Sequence, residues 1–309
     1  MKIVIVGAGA LGTLLAALLS KTKSDIWILE KDKARANVLS RDGITVEGLS
    51  NFKAQVKATT DHEEIGAADL VIISVKSYNT KEASLYAKPL IADNTAVLTL
   101  QNGIGNIEVI SEVAGAERVL GGVTNLGATL LGTGKVRYAG KGETTIGRMD
   151  GQMPVVTRSV REIFNKAGLD TKISRDIKGV LWSKLIINAG INALTALTRL
   201  PNGKLVEFEG TRKLMREASA EAVKVAKRKR IKLIYDDPLA KVEAVCEATS
   251  ANISSMLQDI LKKKRTEIDF INGVIVRHGQ ELGVPVPVNS MLVDLVKSIE
   301  AGYSYLAAE

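Results

Sequence analysis

The 309-residue chain predicts an α/β fold followed by an all-α domain, and three observations carry that reading. Its first half alternates short β-rich runs with helical patterns, the signature of a parallel sheet covered on both faces. Within that half, VIVGAGALG (Val4–Gly12) runs from an apolar strand through a glycine turn toward a helix. Beyond Arg175 the patterns are wholly helical, with apolar residues at spacings of three and four (Leu214, Ala218, Val225; Met256, Ile260; Ile268, Ile271, Ile275). Pro201, Pro238, Pro285 and Pro287 fall at the breaks between these helices. The boundary is placed near Ser174, giving domains at 1–174 and 175–309.

Taken in order, Lys2 to Val6 is a continuous apolar strand and Ala10 to Lys21 a helix. Strands follow at Asp25 to Leu29, Leu70 to Val75 and Ala96 to Leu100, each ending in a polar loop. Four further β-rich segments, Val119 to Val123, Ala128 to Leu131, Val136 to Tyr138 and Thr144 to Ile146, are separated by glycines and suit antiparallel edge strands.

Hydrophobic residues make up 46% of the chain and charged residues 25%, the balance of a globular protein and not of a disordered one. No uninterrupted apolar stretch approaches the length of a membrane span, and the first residues enter a strand without a cleavable-signal layout, so a cytoplasmic location is expected. The one cysteine, Cys246, sits in a helical pattern and reads as core; no metal site is expected. The net charge of +8 is concentrated in KVAKRKRIK (Lys224–Lys232) and KKKR (Lys262–Arg265), which read as solvated helix faces. Aromatic residues are only 4% of the chain and none interleave with these runs, so neither nucleic acid nor a membrane is the expected partner. Oligomeric state is not legible, and a homodimer is left open.

Gly7, Gly9 and Gly12 each have a physical task. The first permits the tight turn, the second lets backbone approach a pyrophosphate, and the third lets helix pack on strand. Together with the helix N-terminus facing the anion, they imply a Rossmann-type dinucleotide-binding domain, with Ala10 and Leu11 opening the helix beside the phosphates. Glu30 ends the second strand, eighteen positions after Gly12, where an acidic residue grips a ribose diol and favours NAD. Lys31, Lys33 and Arg35 follow, and these cations could instead hold the 2′-phosphate of NADP, with Lys31 relieving its repulsion from Glu30; the alternative for Lys33 and Arg35 is an exposed turn. NADH and NADPH both stay open on these residues.

Two more loops leave the carboxyl ends of strands: SVKSYNT with Lys76, and LQNGIGN with Asn102. Asn102 is either a simple turn former or a contact to the nicotinamide ribose or substrate. In the helical half, LWSKLIINAGINALTALT (Leu181–Thr198) carries Lys184, Asn188 and Asn192 among apolar residues. Steps of four drift by only roughly 40°, so the three form one polar stripe about 12 Å long. The stripe is either a cation and two amides bonded inside a helical core or the lining of a site. Further on, ATSANISSMLQDILKKKRTEIDFING contains Asn252, Ser255 and Glu267. Thr266 and Asp269 fit the spacing of a helix-capping pair, which would make Glu267 a first-turn residue.

These stretches, from GAGALG through QNGIGN, LWSKLIINAGINALTAL, LPNGKL and ANISSMLQDI to KKRTEIDFINGVIV, resemble the ketopantoate reductase family over essentially the whole chain. ANISSMLQDI followed by RTEIDFING is far more specific than any glycine motif. The resemblance implies reduction of 2-dehydropantoate to pantoate on the way to pantothenate and coenzyme A. It implies Lys184 as general acid and Glu267 as a hydrogen-bonding partner of the substrate hydroxyl that assists catalysis. Asn188, Asn192, Asn252 and Ser255 would hold the ketoacid, and Asn102 and Lys76 would touch cofactor or substrate. Members use NADPH as a rule, through a basic residue after the second strand; here Lys31 stands where arginine is common and Glu30 precedes it.

The chemistry fits the residues. Hydride reaching a ketone carbon develops negative charge on its oxygen, which a positioned ammonium both stabilises and protonates. Burial disfavours the charged form of Lys184 and a carboxylate such as Glu267 favours it. His62 reads as part of a helix cap and His278 as a surface residue of an amphipathic helix. The expected site is the cleft between the domains. The alternatives are reduction of another branched 2-ketoacid, and a non-catalytic dinucleotide sensor or nucleic-acid binder that uses the basic helices.

Overall fold

Ile3, Val4 and Ile5 have no solvent exposure because the strand they form, β1 (Lys2–Val6), is covered on both faces. In the computed structural model, which describes residues 1–305, β1 pairs in parallel with β2 (Asp25–Leu29) and with β6 (Leu70–Ile73). The same sheet contains β5 (Lys57–Thr59), β7 (Ala96–Thr99), β8 (Val119–Thr124), β11 (Thr144–Gly147) and β12 (Thr171–Ile173). Its order is β12-β11-β8-β7-β6-β1-β2-β5. Chain order reverses on either side of β1, the topological switch at which open α/β sheets bind ligands. A second sheet of four strands has the order β4-β3-β10-β9, from β3 (Ile44–Gly48), β4 (Phe52–Ala54), β9 (Gly127–Gly132) and β10 (Lys135–Gly140).

The sheets correct the expectation of antiparallel edge strands for three of the four segments: β10 lies between β9 and β3, β11 lies between β8 and β12, each with one parallel neighbour, and β8 is interior as well. Val119 to Thr124 is no antiparallel edge: β8 is buried along its whole length and runs parallel to β7, and only its other neighbour, β11, is antiparallel. Glycine-rich composition misled because Gly121 and Gly122 are there for packing; side chains at these positions would strike Ile107 and Leu100.

Six helices belong to this half: α1 (Ala10–Leu19), α2 (Lys33–Asp42), α3 (His62–Ile65), α4 (Thr80–Ala87), α5 (Asn106–Ala114) and α6 (Val155–Lys166). α1 is buried from Gly12 to Leu19, since the four-stranded sheet packs on the side that the large sheet leaves open. Asp32 and Asp61 cap α2 and α3 by accepting backbone N–H bonds.

The remaining helices are α7 (Ile177–Thr198), α8 (Lys204–Glu207), α9 (Glu209–Arg228), α10 (Pro238–Ala248), α11 (Ser255–Leu261), α12 (Asn272–Leu282) and α13 (Pro287–Ala301). The chain divides into two compact units: Met1–Gln101 with Gly105–Ile177, and Asn102–Ile104 with Lys178–Glu309. In the second, α7 is the central helix. Its 22 residues are long and apolar enough to cross a bilayer by length and composition, although Lys184, Asn188 and Asn192 interrupt the apolar run. Its apolar residues are spent inside the protein, where Trp182, Leu185, Ile186, Ala189 and Leu194 join Met215 and Ala218 of α9 and Val242 and Cys246 of α10. Gly190 allows that close approach, because a Cβ there would meet Ser219 and Val242.

A buried polar network fixes α12 and α13. Glu221 of α9 accepts from the backbone N–H groups of Val288 and Asn289, both at 2.9 Å, and from the Asn289 amide at 2.7 Å. Asn272 donates to the Ala189 carbonyl and to Asn289, each at 3.0 Å, tying α12 to α7. The basic runs behave as solvated faces: Lys224, Lys227, Arg228, Arg230 and Lys262 to Arg265 are exposed. Cys246 is buried against the Met215 sulfur, and burial pushes its thiol up to about 12.

Candidate functional site

In the first unit the residues around the glycine turn fit a dinucleotide. Gly7 has φ +96°, a conformation L side chains rarely adopt, and a Cβ there would press on Val75 at 2.6 Å. At Gly12 a Cβ would collide with the Gly7 carbonyl and the Ser74 hydroxyl, so this position lets helix pack on strand. Gly9 is different: a Cβ would find only the Ser74 carbonyl, at 3.7 Å. That leaves room for a ligand at the point where backbone must approach a phosphate. No side chain caps α1 and its first turn holds no acid, so the N–H groups after Gly9, beginning with those of Ala10 and Leu11, have no anion of the chain's own to satisfy them.

Glu30 is nearly buried at the end of β2. Its carboxylate accepts from the Ala8 N–H at 3.3 Å and from the Lys31 N–H at 3.0 Å. Arg35, in the first turn of α2, donates to the Ala8 carbonyl at 2.9 Å and lies 3.4 Å from Glu30. The Lys31 ammonium instead pairs with Glu82 of α4, both side chains being largely exposed. Arg35 is therefore part of the glycine turn's surroundings and not the exposed turn residue that one reading of the sequence allowed.

Lys76 is half-buried at the start of a short 3-10 turn, Ser77–Asn79, and its carbonyl accepts from the Asn79 N–H at 2.8 Å. Sequence reasoning missed the network beneath it. Gln101 donates to the Val75 carbonyl at 2.7 Å and to Thr80 at 2.9 Å, Thr80 donates to Asn106 at 2.8 Å, and Asn106 donates to Ser77 at 3.1 Å. These amides, Asn106 buried and Gln101 half-buried, brace the turn that carries Lys76. Both Gln101 and Asn106 stand in the LQNGIGN stretch, on either side of Asn102.

In the second unit Lys184, Asn188 and Asn192 form one stripe of α7, with Lys184 and Asn188 half-buried and Asn192 only 6% exposed. Burial lowers the Lys184 ammonium from an ordinary 10.5 to about 8, and the Glu267 carboxylate acts against that fall. Glu267, itself 6% exposed, precedes a 3-10 turn, Ile268–Phe270, and not an α-helix. The expected capping pair is corrected here: Asp269 pairs with Lys297 at 2.6 Å and Arg265 at 3.5 Å, and Thr266 accepts from the Ile268 N–H at 3.2 Å. α12 begins only at Asn272.

Ser255 opens α11, half-buried, and Asn252 is exposed in the preceding loop, where its carbonyl accepts from the Asn202 N–H at 2.9 Å. A 2.7 Å hydroxyl bond between Thr195 and Ser254, the α11 cap, fixes this segment one turn from Asn192. Asn102 belongs to the same unit, because the Ile104 N–H donates to the Phe270 carbonyl at 3.1 Å. Lys184, Asn188, Asn192, Asn252, Ser255, Glu267 and Asn102 are thus carried by one body, and the glycine turn, Glu30, Lys31 and Lys76 by the other. Among the described residues no group of three or more His, Cys, Asp or Glu is placed to hold a metal ion. His62 lies at the start of α3 behind its Asp61 cap, and His278 contacts Glu281 at 2.7 Å and Lys229 at 3.3 Å.

Residues 3–151 match the ketopantoate reductase PanE/ApbA family, and residues 176–300 match the ketopantoate reductase PanE/ApbA C-terminal family. A 2-dehydropantoate 2-reductase of Pyrococcus horikoshii is 39% identical over 302 residues, covering 97% of this chain and 98% of its own. The crystal structure of a PanE/ApbA family ketopantoate reductase from Ralstonia eutropha JMP134 superposes with TM-score 0.91 at 34% identity, covering 98% of this chain and all of its own. D-mandelate dehydrogenase in a ternary structure with NADH and anilino(oxo)acetate gives the same TM-score at 25% identity, over 98% of this chain and 99% of its own. With a glycine turn fit for a dinucleotide in one unit and a partly buried lysine beside a carboxylate in the other, the chain belongs to the ketopantoate reductase family.

Proposed function

We propose that the protein is a cytoplasmic reductase that converts 2-dehydropantoate to pantoate in the synthesis of pantothenate and coenzyme A, with NADPH the favoured donor and NADH a substitute. The nicotinamide supplies the hydride; the protein's residues must place the ketone, hold its charge and give the proton. The observation that carries the reading is Lys184, a cation whose burial brings it to about 8 and whose helix stripe includes two amides. An ammonium at that value gives up its proton readily near neutral pH, as a general acid requires. Glu267 keeps enough of it charged to be the donor and accepts from the product hydroxyl. Asn188, Asn192, Asn252 and Ser255 bind the carboxylate and hydroxyl of the ketoacid without adding a further buried charge. Asn102 and Lys76 serve the nicotinamide ribose or the substrate. Glu30, Gly7, Gly9, Ala10, Leu11 and Gly12 serve the dinucleotide.

Lys184→Ala tests this. Turnover falls by about 10²–10⁴-fold while dinucleotide binding persists; near-normal turnover removes the catalyst. A second reading keeps the fold and changes the ketoacid, supported by the likeness to D-mandelate dehydrogenase. Comparing kcat/KM for 2-dehydropantoate with that for an aromatic 2-ketoacid separates the two.

A further inference from the structure

Glu30 at the end of β2 poses a problem for a cofactor that ends in a 2′-phosphate, since the two anions would repel. The conformation of this corner resolves it. Both carboxylate oxygens of Glu30 are held by backbone N–H groups, of Ala8 at 3.3 Å and of Lys31 at 3.0 Å, which fixes the acid against the glycine turn. Lys31 does not supply the compensating charge, because its ammonium is drawn to Glu82. Arg35 does: its Nη2 lies 3.4 Å from Glu30 and bonds the Ala8 carbonyl at 2.9 Å.

Both contacts use one terminal nitrogen. Nε and Nη1 make no hydrogen bond among the described residues, and the side chain is 36% exposed. A guanidinium fork anchored at one corner and open at the other is suited to a dianionic phosphate, which a point-charge ammonium engages less specifically. The α2 N-terminus does not compete for the anion, since Asp32 already accepts from the N–H groups of Ala34 and Arg35 at 2.8 and 3.1 Å.

We infer that Arg35, and not Lys31, is the residue that recognises the 2′-phosphate of the dinucleotide, with Glu30 serving to position it. The inference rests on the proposed dinucleotide-dependent function but concerns which side chain sets the choice of cofactor. Lys31, which the sequence favours for this task, is left as a neighbour paired to α4.

Fluorescence titration of NADPH and of NADH on the full-length protein tests it without turnover, with wild type, Arg35→Ala, Arg35→Lys and Lys31→Ala compared. The expected result is that the ratio of the NADH Kd to the NADPH Kd falls at least tenfold in Arg35→Ala and by less in Lys31→Ala, with Arg35→Lys between Arg35→Ala and wild type. Retained NADH binding by Arg35→Ala shows that the variant is folded. A smaller fall in Arg35→Ala, or one in Lys31→Ala at least as large, overturns the inference. If wild type binds neither dinucleotide there is no ratio to compare, and the dinucleotide-dependent function falls together with the assignment of Arg35.

Discussion

The Phe270 carbonyl accepts a hydrogen bond from the Ile104 N–H at 3.1 Å, joining the loop of Asn102 to the turn that follows Glu267. Between them Gly103 adopts φ +84°, and a Cβ on it would run into the Phe270 carbonyl and side chain. Gly103→Ala therefore loses a permitted conformation and a tight contact together. A destabilisation of about 1–3 kcal/mol is expected in urea unfolding. With it comes a rise in KM for the ketoacid larger than any change in the affinity of NADPH.

The value of about 8 for Lys184 sets a pH dependence. Ketone reduction needs the ammonium, so its kcat declines as pH rises through about 8, whereas oxidation of the hydroxyacid, which needs the amine, gains over the same interval. For stability the sign is opposite to that of a paired lysine. Burial depresses the folded value below the unfolded 10.5, so the cost of the buried charge is fully present below about 8 and is relieved as pH rises from there toward 10.5. Rate profiles in both directions, compared with Lys184→Ala melting curves, check both signs.

Gly12 and Gly9 separate packing from binding. Gly12→Ala meets the Gly7 carbonyl, which is backbone and cannot step aside, so a lower thermal midpoint is expected. Gly9→Ala meets nothing nearer than 3.7 Å and keeps its midpoint, but places a methyl where a pyrophosphate approaches. Its NADPH Kd rises at least tenfold in a fluorescence titration.

Ser254→Ala removes the cap of α11 and the partner of Thr195. Cap losses cost about 0.5–2 kcal/mol. Because this cap directly precedes Ser255 and stands two residues after Asn252, the expected signature is a raised KM for the ketoacid with the NADPH Kd unchanged.

Cys246 is buried, with its thiol raised to about 12, so it remains unreactive toward Ellman's reagent in the native protein and reacts stoichiometrically in guanidinium.

The parts of the molecule legible in the sequence were those where one residue type has one physical use. Gly7 and Gly12 stand where backbone conformation and helix packing allow nothing larger, and β1 reads as buried because it is. The Lys184 stripe was legible by spacing alone, since a cation and two amides on an apolar helix demand a reason. What stayed hidden depended on distant partners. The parallel pairing of β8, the second sheet joining β3 to β10, and the turn at Glu267 are set by contacts far away in the chain. The surroundings of Arg35 are hidden for the same reason: its hydrogen bond to the Ala8 carbonyl spans 27 positions and leaves no local pattern.

The tripeptide Asn102–Ile104 packs with residues that come long after it in the chain. A gene severed after codon 177 would thus deliver two unfinished halves: one fragment displaying an undocked clip, the other missing the strand of backbone that Phe270 holds. Complementation by co-expression of such fragments requires that the clip find its seat in trans.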